Sequence, residues 1–126
     1  MDAGVGGYLS YMLTRKSAYQ DEILAWHKAQ LDIAREAVNS GKWVKIQDIS
    51  YLYDWNLAEA ASPGLASAES YVIVNFLVET YGLDKCVATF QAVSHNGGSA
   101  ESALSSVLGT TFEQLETGVK SWIMSH

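Results

Sequence analysis

Among the side chains of this sequence with acid–base, nucleophilic or metal-binding chemistry are three histidines, one cysteine and fourteen acidic residues. The histidines stand at positions 27, 95 and 126, and none lies in an HExxH, HxH or HxxxH arrangement that would set two imidazoles on one metal ion. His27 falls within the apolar stripe of a long helical pattern, where it is expected as a hydrogen-bonded core or boundary residue. His95 precedes a Gly-rich turn at a helix end, where its cationic form meets the helix dipole favourably, and His126 is terminal. Cys86 follows Asp84-Lys85 in the first turn of a predicted helix, where the dipole and Lys85 both act to lower a thiol pKa. No histidine stands beside it in sequence to serve as a base, so a structural cysteine is expected. A single cysteine also excludes an internal disulfide framework and Cys-cluster zinc sites. Gly4-Val5-Gly6-Gly7 lacks both the GK[ST] ending and the preceding strand of a phosphate loop. Asp21, Glu22, Glu36, Glu59, Glu69 and Glu101 fall at helix starts and exposed phases, which reads as a solvated acidic surface rather than a carboxylate pair. No catalytic, cofactor-binding or metal-ligating residue is assigned on these grounds. The candidates for partner binding are aromatic: Trp43, Trp55, Tyr51 and Tyr53, with Trp26, as anchors of a groove for a peptide or partner helix.

The elements that must position these groups are helices. One proline in 126 residues, with apolar residues recurring every three or four positions, predicts an all-α chain of about six helices. The first spans about 2–13, with Gly6-Gly7 inviting close approach of another helix. The second spans about 17–39, opened by Ser17 with Gln20 and closed at Asn39-Ser40-Gly41, with Ile23, His27, Leu31, Ala34 and Val38 in one stripe. Trp43 to Ile46 alternates over four residues, and 47–61 reads as irregular with a short helical turn near 49–53, so 43–61 is the one irregular segment expected. Ser62-Pro63 reads as the start of a third helix that ends at Gly82. Asp84 is expected to cap a fourth, Ser99 a fifth that Gly109 ends, and Thr111 with Gln114 a sixth. Tyr71, Val74, Phe76, Leu77, Phe90, Leu104, Leu108, Leu115, Val119 and Trp122 are the expected core. No repeat, linker or low-complexity tract divides the chain, so 1–126 is expected to be one helical domain.

Composition narrows the partners. Eight basic against fourteen acidic residues give a net charge of −6, and no basic run exceeds Arg15-Lys16. The electrostatic footprint of a nucleic-acid binder or of a protein on anionic membrane is missing. The longest apolar stretch, Tyr71 to Val78, is interrupted by Asn75 and is too short to cross a bilayer, and no signal peptide is recognised at the N-terminus. A soluble chain is expected.

The second half of the chain has a recognisable order of motifs. Ser70-Tyr71 through Tyr81-Gly82 is followed by Asn96-Gly97-Gly98, Ala103-Leu104, Leu108-Gly109, Leu115-Glu116 and a closing Trp122. This order resembles the C-terminal helical part of the peptidase MA-like zinc metallopeptidases of the gluzincin type. Ala3 to Leu9 is similar to the segment in which Glu-Gly-Leu-Ala-x-Tyr begins a helix and the Glu is the third zinc ligand. Ala3 stands where that Glu belongs, Ser67 stands near the family's oxyanion-stabilising tyrosine, and the HExxH helix has no counterpart. The resemblance therefore implies a non-catalytic helical subdomain forming a wall of a parent's substrate cleft, either part of a longer enzyme or a catalytically silent relative. The chain alone is expected to lack peptidase activity and a cofactor, with zinc only in a longer parent. Its implied partner is the upstream catalytic segment of such a parent, or a peptide. The alternative, from the aromatic residues, is a helical peptide- or protein-binding module.

Overall fold

The computed structural model describes residues 4–9, 20–49, 52–95 and 99–126, and no strand occurs among them. Residues 4–9 form α1. It is followed by α2 (Gln20–Ser40), a 3₁₀ turn (Ile46–Ile49), α3 (Leu52–Ala61), α4 (Leu65–Tyr81), α5 (Leu83–His95), α6 (Ala100–Ala103) and α7 (Phe112–Ser125). The fold is all-α, as the periodicity predicts.

α4 is the axis of the molecule. From Leu65 to Asn75 every residue except Ser67 is buried, and so is Leu77. A helix buried on all sides needs neighbours all round, and α2, α3, α5 and α7 all pack on it. The core runs through Tyr71, Val72, Ile73, Val74 and Leu77 of α4 to Ala34 of α2, Ile46, Cys86, Leu104, and Leu115, Val119 and Ile123 of α7. Phe76, Phe90, Leu108 and Trp122 pack against it half-buried, so all ten expected core residues belong to this cluster. α1 comes closest to α4 at Gly4, where a Cβ would run into the Ser70 carbonyl and lie 2.9 Å from the Tyr71 nitrogen. Of the predicted Gly6-Gly7 pair only Gly7 makes a close approach, its Cβ position lying 2.7 Å from Cη2 of Trp26.

Several predicted boundaries hold. The Ser99 hydroxyl accepts the Ser102 N–H at 3.2 Å, and Thr111 and Gln114 form a reciprocal capping box at the start of α7. α6 continues into a π-helical turn over Leu104–Leu108, which ends at Gly109 in the left-handed region (φ 63°, ψ 31°). The cap expected at Ser17 lies outside the described residues.

Four expectations are corrected. The segment read as irregular is helical from Leu52 to Ala61, and Trp43 to Lys45 enters the 3₁₀ turn rather than a strand. α4 does not start on Ser62-Pro63: its N-cap is Gly64, with φ 87° and no side-chain cap of its own. Glu59, near the end of α3, supplies the missing acceptors, taking the N–H groups of Gly64 (3.0 Å) and Ser67 (3.2 Å). A carboxylate at a helix N-terminus also meets the positive end of the dipole. Gly82 has positive φ (93°) as expected, but its ψ of 155° lies outside the left-handed helical region, in a conformation open essentially to glycine alone. α5 begins at once on Leu83, so Asp84 sits inside its first turn instead of capping it.

Candidate functional site

Two clusters of polar groups are built into this core. The first lies where α1, α2 and α4 meet. His27, half-buried on α2, hydrogen-bonds through Nδ1 to the hydroxyl of Tyr71, which is buried on α4. The rings of His27 and Tyr71 stand edge to face with centroids 5.4 Å apart, and Trp26 meets Tyr71 in the same way at 4.8 Å. Burial lowers the His27 pKa below the usual histidine value, partly opposed by the charge of Glu79, so the imidazole is neutral at pH 7. A neutral ring bonded through Nδ1 to a phenol is the hydrogen-bonded boundary histidine that its place in the stripe predicts. Trp26 stays 40% exposed, as does Leu9 of α1 at 41%, so this junction presents apolar surface beside the pair.

The second cluster holds the strap between α2 and α3, and it corrects the reading of Glu69 as part of a solvated surface. Glu69 of α4 is fully buried. Its Oε1 accepts the Val44 N–H at 2.8 Å, while its Oε2 has no hydrogen-bond partner. Burial, with a further contribution from the Glu116 charge, raises its pKa to about 8 against the opposing pull of the Val44 N–H and Lys120. Glu116 of α7 grips the same strap: its Oε1 accepts the Ile46 N–H at 3.0 Å and the Trp43 indole N–H at 3.2 Å. Glu116 also lines an open cleft of about 560 Å³ with Lys45, Gln47, Glu101, Thr111, Phe112 and Glu113. Local spacing does not mark Glu69 as buried, since Ser67 and Ser70 beside it read equally as a polar face.

The remaining candidates separate. Trp43 and Trp55 are both half-buried against the core, with Trp55 donating its indole N–H to Ser70 at 2.9 Å. Tyr51 lies outside the described residues, and Tyr53 is described through its backbone in α3. The structure thus packs Trp43 and Trp55 against the core and commits both indole N–H groups to internal acceptors, on α7 and α4 respectively. Cys86 is buried, and burial pushes its thiol up to about 11, overriding the lowering expected from the helix terminus and Lys85. His95 is likewise described through its backbone alone. His126 stacks on Trp122 with centroids 4.3 Å apart, and Trp122 donates to Glu79 at 2.7 Å, which ties the last residue to α4. Among the described residues, no three His, Cys, Asp or Glu side chains converge as metal donors. No described helix is long and apolar enough to cross a membrane.

No curated protein and no solved structure matches the chain. The family model of the peptidase MA superfamily matches residues 25–125. That span runs from the start of the Trp26–His27 pair to the end of α7 and takes in every motif from Ser70 to Trp122 whose order carries the resemblance; Ala3 to Leu9 lies outside it. The chain belongs to the peptidase MA superfamily.

Proposed function

We propose that this chain is a non-catalytic helical unit, spanning residues 1–126, that forms one wall of a substrate cleft of the peptidase MA type. The reading draws its support above all from the α1–α2–α4 junction. There the segment that resembles the family's metal-proximal helix packs against α4 at Gly4 and against Trp26 at Gly7, with Trp26 part-exposed beside the His27–Tyr71 pair. An apolar edge beside an imidazole whose Nδ1 is held by Tyr71 suits contact with an extended peptide. The described residues do not fit the zinc ion that the resemblance implies. Tight binding needs three or more converging donors, the described donors do not converge, and His27 already spends Nδ1 on Tyr71.

The test is a titration of the isotopically labelled protein with unstructured peptides, followed by amide shifts, together with a peptidase assay with and without added zinc. Shifts confined to α1, Trp26 and His27 with no hydrolysis are expected. Hydrolysis abolished by a chelator refutes the non-catalytic reading. Shifts centred on Trp43 and Trp55 favour the aromatic binding module in its place, and no shifts at all refute the wall.

A further inference from the structure

The strap between α2 and α3 is fastened in an unusual way. Val44 and Ile46, two residues apart, give their N–H groups to carboxylates on two different helices, Glu69 of α4 and Glu116 of α7. The Trp43 indole N–H adds a third bond to Glu116, and the Ile46 side chain is 1% exposed. Neither carboxylate has a basic residue bonded to it among the described contacts. Glu69 keeps Oε2 buried with no partner, a condition that costs a neutral carboxyl the desolvation of one polar atom and costs a carboxylate far more. The strap is also the wall of the open cleft, through Lys45 and Gln47, while Glu116 lines that cleft from α7.

We infer that residues 43–46 are a proton-controlled lid: the strap lies closed on α4 and α7 while Glu69 is protonated and lifts away when Glu69 ionises, widening the cleft beside Glu116. This stands independently of the wall reading, since it concerns the opposite use of α4. The charges that bear on Glu69 are Glu116, which opposes its ionisation, and Lys120, which favours it, both on α7, while the strap brings the Val44 N–H. Lys120 and Val44 are outweighed by desolvation in the closed state. Lifting the strap lets water reach both carboxylates and removes that cost. A carboxyl that titrates at about 8 when closed and at its ordinary value of 4.5 when hydrated weakens closure about tenfold per pH unit across that interval.

The measurement is amide hydrogen exchange on the whole chain, corrected for intrinsic base catalysis. Protection at Val44 and Ile46 is expected to fall about fiftyfold between pH 6 and pH 8, while Val72 and Leu77 hold theirs; in Glu69→Gln the fall should vanish. A pH-independent protection at the two strap amides overturns the inference, as does an equal fall in Glu69→Gln or a parallel loss at Val72 and Leu77. Should Glu69→Gln not fold, the wild-type side-chain carboxyl carbon of Glu69 gives the answer by itself. It must titrate together with the Val44 amide shift at a midpoint above pH 6, and a midpoint near 4.5 overturns the lid.

Discussion

Replacing Glu69 by Gln should remove a fall of stability with rising pH that the buried carboxyl imposes on this chain. Gln keeps the shape of the side chain and can still accept the Val44 N–H, but it has no proton to lose. In the unfolded chain Glu69 ionises around 4.5, whereas in the fold it holds its proton up to about 8. Between those values the native state binds more protons than the unfolded state, so wild-type stability falls as pH rises through this window and levels off above it. The interval is 8 − 4.5, and at about 1.4 kcal/mol per pH unit it amounts to a loss of up to about 5 kcal/mol. That ceiling is a large share of the roughly 5–15 kcal/mol typical of a whole domain. Opening of the strap limits the loss to the free energy of lifting residues 43–46, so the plateau measures that opening. The assay is urea unfolding of both proteins at pH 5, 6, 7, 8 and 9. Other carboxylates and His27 titrate in both, so the difference between the two curves isolates Glu69. Wild type should lose several kcal/mol relative to Glu69→Gln from pH 5 to pH 8, with the variant the more stable above pH 7. Parallel curves across the whole range would refute the reasoning, because they would mean that Glu69 ionises in the fold as easily as in the unfolded chain.

Three further outcomes follow from single positions. Leu77 is fully buried in the central helix, so Leu77→Ala should cost about 2–5 kcal/mol by chemical denaturation, and a cost under about half a kcal/mol would contradict its place in the core. Gly82→Ala should destabilise by about 1–3 kcal/mol, more than Gly109→Ala, because φ 93° with ψ 155° is closed to side chains while the left-handed region at Gly109 admits them at a smaller cost; equal melting temperatures for the two variants would count against this. The Cys86 thiol, buried and pushed up to about 11, should not react with a disulfide reagent at pH 8 in the native protein and should react fully once unfolded; fast native labelling would show that it is reachable.

The sequence by itself determined the features that arise from contacts a few residues apart. The existence of the helices found at 20–40, 65–81, 83–95 and 112–125, though not the starts of the second and third of these, the cap at Ser99, the capping box of Thr111 and Gln114, and the left-handed Gly109 all rest on local spacing and hydrogen bonds within a turn. The ordered motifs from Ser70 to Trp122 are local in the same sense, and they were enough to indicate the family. Only the tertiary structure decided the rest. α3 has no clear apolar stripe to announce it, and it is helical because Trp55 and Ala58 pack on the core and its end carries Glu59 to the start of α4. That reach also moved the start of α4 from Ser62-Pro63 to Gly64. Cys86 shows the same override, where burial outweighs the helix terminus that its position suggests. Glu69 and Glu116 lie 47 positions apart in sequence and meet at one strap only because α4 and α7 are neighbours in space. A carboxylate's solvation depends on everything packed around it, and that is a property of the assembled core which no spacing along one helix encodes.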